Sequence, residues 1–168
     1  MKEVRVALVG VGNVGRAFLD LMVTKAEVLR RQHGLRLILT GASDSSGAVV
    51  DAGGIDAAGL LRHKQGGRGV GLYGGGQPGL DAVAFTGQVA ADLLLEGSPV
   101  NLKTGQPGLD VVRTALLRGM GVVLANKAPL VLAFAELTGM AASAGLGLAY
   151  SATVCGALPV VNDRKGEQ

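Results

Sequence analysis

Val4-Arg5-Val6-Ala7-Leu8-Val9, running straight into Gly10-Val11-Gly12-Asn13-Val14-Gly15, is the stretch whose reading decides the fold. The first six residues are β-branched or apolar apart from Arg5, and a glycine bounds them. They predict a strand buried on both faces. The next six fit G-x-G-x-x-G, a weak pattern alone but an informative one where it follows a buried strand and opens a helix. That helix is predicted over Asn13 to Gln32, where Val14, Ala17, Phe18, Leu21, Met22 and Leu29 recur at three- and four-residue steps. Lys25, Arg30 and Arg31 suit its negative end, and Gly34 is placed to stop it. A strand, a glycine turn and a helix in this order form a dinucleotide-binding unit. Gly10 allows the tight turn, Gly12 exposes bare backbone to a pyrophosphate, and Gly15 lets helix and strand pack closely. Free N–H groups and the positive dipole end at Asn13 and Val14 then face the phosphates, with Val11 completing the turn. The competing reading is a tight turn that binds nothing.

Outward from this unit, Leu35 to Thr40 predicts a second strand, which ends in a polar turn over Gly41 to Gly47. A short helix is expected over Ile55 to Lys64, and the glycine-rich run Gln65 to Gly79 reads as a mobile surface loop able to order over a ligand. Strands follow at Ala91 to Glu96, Gly121 to Ala125 and Leu146 to Tyr150, separated by helices over Pro107 to Arg118 and Leu130 to Ala144. Strands and helices that alternate without a hairpin signal argue for an α/β fold, a Rossmann-like doubly wound parallel sheet with helices on both faces. Ligands of such sheets sit beyond the carboxyl ends of the strands. The polar residues cluster at three of those ends: Gly10 to Gly15, Gly97 to Asn101, and Asn126-Lys127.

Composition narrows the function classes. The 168 residues are 48% hydrophobic and 17% charged, which excludes a disordered chain. With 28 Gly, no Trp, two Tyr and three Phe, the core must be built from Val, Leu and Ala. The single cysteine, Cys155, forms no intrachain disulfide and reads as a small buried hydrophobe. His33 and His63 lack metal-ligand spacing. A scattered net charge of +3 argues against nucleic acid as a partner. The charge-free run Leu137 to Val161 is long enough to span a bilayer. Its Gly139, Gly145, Gly147, Gly156 and Pro159 make it read instead as helix, turn and buried strand, so no membrane partner is expected and the default compartment is the cytoplasm.

Three further positions carry chemistry. Asp44 stands after the second strand, where an acid accepts hydrogen bonds from the ribose of NAD and repels the 2′-phosphate of NADP. Ser45, Ser46, Arg62 and Lys64 would favour the phosphate instead, so NAD versus NADP stays open; a turn-capping role for Asp44 is the bland alternative. Ser98, held by Pro99, is a hydrogen-bonding candidate for the cofactor or simply part of a polar turn. Lys127, directly after a buried strand, would project over the ligand crevice and attract a carboxylate or the cofactor's polar groups. On spacing alone it reads equally as a solvated loop lysine.

Several of these stretches together resemble homoserine dehydrogenase: Gly10 to Gly15, Ser43-Asp44-Ser45-Ser46-Gly47, NLKTGQPGL at Asn101 to Leu109, LANKAPL at Leu124 to Leu130, and SATVCGALPVVN at Ser151 to Asn162. The resemblance implies an NAD(P)-dependent oxidoreductase that interconverts aspartate semialdehyde and homoserine by hydride transfer. It implies pyrophosphate binding by Gly10 to Gly15 and a place for Ser98 near the nicotinamide, with Lys127 at the junction of cofactor and substrate in a binding or catalytic role; Asp44 and Ser45 join the cofactor-binding set from their position after the second strand. It also implies a monovalent cation held by the carbonyls of Val154, Gly156 and Leu158, although Ser151 stands where the family has a Glu ligand. Family members continue far beyond Pro159, into the part that holds the substrate-binding sheet and the dimer interface. The expectation is therefore an NAD(P)-binding domain over residues 1–150 and the start of a truncated substrate domain over 151–168. Such a chain would be inactive alone, associating as a homo-oligomer or with a missing catalytic half. Two rival readings are a non-catalytic NAD(P)-binding module and a related dehydrogenase of another small substrate.

Overall fold

Residues 1–153 are described by a computed structural model. The chain begins with β1 (Lys2–Val9), whose last four residues are fully buried. The alternation of its side chains builds two cores at once. Ala7 and Val9 point to one face of the sheet, while Leu8 points to the other. The predicted first helix is two, α1 (Asn13–Thr24) and α2 (Ala26–His33), broken at Lys25. Gly34, at φ 60°, caps the second. The buried face of α1 is Gly15, Leu19 and Met22, with Phe18 beside them. Val14 and Leu21, expected on that face, are about half exposed.

The expected polar turn at Gly41 to Gly47 is mostly strand. β2 (Leu35–Asp44) runs on to Asp44 and turns through Ser45-Ser46 into the antiparallel β3 (Gly47–Val50). After α3 (Ala57–Gln65), the glycine-rich run is no mobile loop: it forms a 3₁₀ turn at Val70–Leu72 and the edge strand β4 (Gly76–Pro78). The physical reason is close backbone approach. A Cβ on Gly71 would come within 2.6 Å of the Ser46 carbonyl oxygen, so glycine here allows main chain to stack on main chain. A helix that the sequence pattern does not predict, α4 (Ala82–Gln88), follows; its Phe85 is fully buried and is the largest such side chain.

The remaining elements are β5 (Leu93–Glu96), α5 (Gly108–Leu117), β6 (Gly121–Leu124), α6 (Ala128–Ala144) and the short β7 (Leu148–Ala149). Helix α6 starts two residues before the expected Leu130 and is kinked at Ala133. Among the described residues, seven strands are ordered β4-β3-β2-β1-β5-β6-β7. β2 to β7 in that row are parallel, whereas β3 and β4 form an antiparallel edge. The sheet is thus mixed rather than wholly parallel, but it is Rossmann-like, with helices on both faces. One apolar cluster packs Phe85, Leu109, Val112, Leu116 and Leu137 of α4, α5 and α6 against Ala7, Val9 and Leu94. The other packs Leu19 and Met22 of α1 and Leu60 of α3 against Leu8, Leu39 and Leu95.

Asp81 caps α4: its Oδ1 accepts from the N–H groups of Val83 (2.9 Å) and Ala84 (2.8 Å). Removing such a cap typically costs about 1 kcal/mol. Asp81→Ala is therefore expected to lower the unfolding free energy by that amount, seen as a lower urea midpoint with an unchanged slope; an unchanged midpoint would show that the cap does not hold α4.

Candidate functional site

The register of the sheet brings the polar loops together. Val9 lies opposite Glu96, Glu96 opposite Leu124, and Val9 also opposite Ser43. The loops leaving β1, β5 and β6, and the end of β2 at Asp44, therefore open at the same end of the sheet. Lys127, Ser98 and Gly10 to Gly15, far apart in sequence, share that end.

The glycine turn has three distinct constraints. Gly10 sits at φ +87°, and a Cβ on it would lie 2.3 Å from the Gly97 carbonyl oxygen. A Cβ on Gly15 would lie 2.4 Å from the Gly10 carbonyl oxygen, so helix α1 rests directly on the turn. A Cβ on Gly12 would meet nothing within 4 Å. Gly12 is also the N-cap of α1, and no side chain caps that end. The first-turn N–H groups thus face open space beside bare backbone, a cradle that fits a dinucleotide's pyrophosphate. Arg16, which the glycine motif does not include, folds back onto this turn: its guanidinium donates to Asn13 Oδ1 (2.7 Å) and the Gly12 carbonyl (3.3 Å). Its position four residues after Gly12, one helical turn on, is the sequence signal for that contact.

Asp44 lies where expected but is already fully engaged. Its Oδ1 accepts from the Ser46 N–H (2.9 Å) and the Ser46 hydroxyl (2.6 Å). Its Oδ2 accepts from the Val70 N–H (3.1 Å) and from the Lys64 ammonium. A carboxylate has about four acceptor positions, and all are used. Burial pushes this carboxyl up, but the hydrogen bonds from Lys64, Ser46 and Val70 outweigh it and hold it below the usual range. The Asp44–Lys64 pair leaves little net charge at this corner. Ser45 at the hairpin tip is exposed.

Ser98 is buried, and its hydroxyl accepts from Asn126 Nδ2 at 3.2 Å. Asn126 is buried as well, and its Oδ1 takes the Ala128 N–H at 3.0 Å. Lys127 stands between them as the N-cap of α6 and is exposed. Behind this loop lies Glu96, which in the sequence marks only the end of a strand. It is fully buried, its Oε1 accepts from the Ser98 N–H at 2.9 Å, and its Oε2 has no hydrogen-bond partner. Burial pushes the Glu96 carboxyl up, against smaller opposing contributions from Ser98 and Asn126. An acid at the end of an apolar run, LLLE, is the sequence signal that marks it. Val154, Gly156 and Leu158, the expected cation ligands, and Cys155 lie outside the described residues. Among the described residues no three His, Cys, Asp or Glu side chains are grouped to hold a metal ion, and no helix is long and apolar enough to cross a membrane.

Solved structures share this fold, although no family model matches the chain. An NAD(+)-dependent homoserine dehydrogenase from Pseudomonas canavaninivorans is 32% identical over 162 residues, covering 96% of this chain and 46% of that protein. The crystal structure of homoserine dehydrogenase from Thermoplasma acidophilum is 26% identical, covers 98% of this chain and 49% of the other, and superposes with a TM-score of 0.79. A hyperthermophilic archaeal homoserine dehydrogenase in complex with NADPH shares the fold, with a TM-score of 0.73 at 20% identity over 91% of this chain and 45% of that one. The chain matches the N-terminal part of these enzymes and spans about half the length of the curated relatives it matches.

Proposed function

We propose that this chain is the NAD(P)-binding part of a homoserine dehydrogenase, acting on aspartate semialdehyde and homoserine. In this reading residues 1–150 are the nucleotide domain, and residues 151–168 begin the part that holds the substrate. The observation that carries it is the bare Gly12 at the uncapped start of α1, in a chain similar to homoserine dehydrogenases over nearly its whole length. The dinucleotide supplies the chemistry, hydride transfer at its nicotinamide ring. The protein supplies position: the α1 N–H groups and Arg16 receive the pyrophosphate, the Asp44 corner receives the adenine ribose, and Ser98 and Lys127 flank the nicotinamide end. Lys127, exposed on a rigid strand-to-helix turn, orients a carboxylate or stabilises charge on the substrate oxygen.

Because Lys64 neutralises Asp44, the ribose corner accepts both NADH and NADPH. Titration of the 168-residue chain with each, followed by nucleotide fluorescence, tests this. Both are expected to bind, with little or no homoserine oxidation by the chain alone. Lys64→Gln leaves the Asp44 charge uncompensated toward a 2′-phosphate and is expected to weaken NADPH relative to NADH by about tenfold, the scale of one charge pair near a protein surface. An unchanged ratio would remove Lys64 from cofactor selection, and failure of both nucleotides to bind would end the reading.

A further inference from the structure

Glu96 closes a central strand whose two neighbours carry the candidate site. Its Cα is opposite Val9, the residue before the glycine turn, and opposite Leu124, three residues before Lys127. Its own carbonyl accepts from the Ala125 N–H at 2.8 Å. Its side chain is fully buried and reaches Ser98 rather than any cation. Burying an acid without a counter-charge costs stability, and a leucine would fill the same strand position without that cost. The acid must therefore be weighed by what it holds.

It holds two loops. The Ser98 N–H bond to Oε1 fixes the Gly97–Ser98 turn, whose backbone is the wall against which Gly10 packs. The Ser98 hydroxyl then takes Asn126 Nδ2, and Asn126 Oδ1 takes the Ala128 N–H. These links bracket Lys127 on both sides. The other oxygen, Oε2, faces Gly108 at the start of α5, where a Cβ would lie 3.2 Å from it and 2.6 Å from Asn126 Nδ2. Gly108 thus leaves room for the acid and the amide to lie side by side.

We propose that Glu96 is a positioning residue: through Ser98 and Asn126 it fixes the backbone that presents Lys127, and through the Gly97–Ser98 turn it fixes the wall of the dinucleotide cradle. The cofactor half of this statement rests on the nucleotide-binding reading above; the backbone half does not. Glu96 itself is fully buried and acts through Ser98 and Asn126.

The test compares Glu96→Gln and Glu96→Leu in the full chain, using amide hydrogen exchange without nucleotide and then NADH titration. Glutamine keeps an acceptor for the Ser98 N–H. It is expected to keep Ser98 and Ala128 protected and NADH affinity within about threefold of the parent, the scatter of one modest hydrogen bond. Leucine is expected to leave exchange in the β1 and β5 cores unchanged, to speed exchange at Ser98 and Ala128 at least about tenfold, and to weaken NADH about tenfold. Parent-like exchange at both amides in Glu96→Leu overturns the proposal, as does an equal loss in Glu96→Gln. If Glu96→Leu does not fold, Ser98→Ala decides alone: removing the hydroxyl link must speed Ala128 exchange at least about fivefold, and unchanged exchange overturns the proposal. A parent chain that binds no NADH refutes the nucleotide reading, while the exchange comparison still decides the role of Glu96.

Discussion

Gly12→Val is expected to abolish measurable NADH and NADPH binding while the chain stays folded. Nothing lies within 4 Å of a Cβ at this position, so the first atom of the new side chain meets no neighbour in the protein. Valine is also a poorer N-cap than glycine, which costs about 1 kcal/mol or less. The same empty space is where a pyrophosphate would contact the backbone, and a branched side chain there blocks that approach. Affinity should fall at least about 100-fold, or about 2.7 kcal/mol. Fluorescence titration read beside a thermal melt checks both halves. Equal binding by parent and variant, with an unchanged melt, would show that the glycine turn is not where the nucleotide lies.

Gly10→Ala is expected to do the reverse, destabilising the fold strongly whether or not a ligand is bound. At φ +87° an alanine is strained, a cost of about 1–3 kcal/mol. Its Cβ would also lie 2.3 Å from the Gly97 carbonyl oxygen and 2.6 Å from the Ser98 nitrogen, both backbone atoms that cannot swing aside. Overpacking of that kind adds about 1–3 kcal/mol. A combined loss of about 2–6 kcal/mol is a large fraction of the roughly 5–15 kcal/mol that holds a domain together. Urea unfolding of the variant measures it, and a midpoint equal to the parent's would mean that the turn relaxes more easily than its close contacts imply. The pair of variants separates two glycines that one motif treats alike: Gly10 packs on the Gly97–Ser98 backbone, whereas Gly12 borders open space.

Much of this site is legible in the amino-acid order alone. The buried run Val6 to Val9, the glycine turn and the strand ends at Ser98 and Lys127 follow from local patterns, because strand burial and tight turns leave their mark within a few residues. The antiparallel edge is not legible in that way. β3 and β4 are short, and the second is built from Gly76-Gln77-Pro78, a sequence with no strand propensity of its own. It is a strand because β3 offers it hydrogen bonds. Helix α4 escapes the pattern for a similar reason: seven residues are too few to show a helical period, and its stability comes from Asp81 and buried Phe85. The apolar spacing finds Phe18 and Met22 on the buried face of α1 but misses Leu19, and it places there Val14 and Leu21, which are about half exposed.

The α/β class, the glycine turn and the polar strand ends can be read from the order of residues, since each depends on contacts between near neighbours in the chain. The surroundings of Asp44 and Glu96 follow instead from long-range packing. The partners of Asp44 include Lys64 and Val70, 20 and 26 residues away, which fill its acceptor positions. Glu96 lies between β1 and β6 in the sheet and is linked through Ser98 to Asn126, 28 residues beyond that serine. A carboxylate's role is set by which donors surround it and how far it is from water, and both are fixed by packing rather than by adjacent residues.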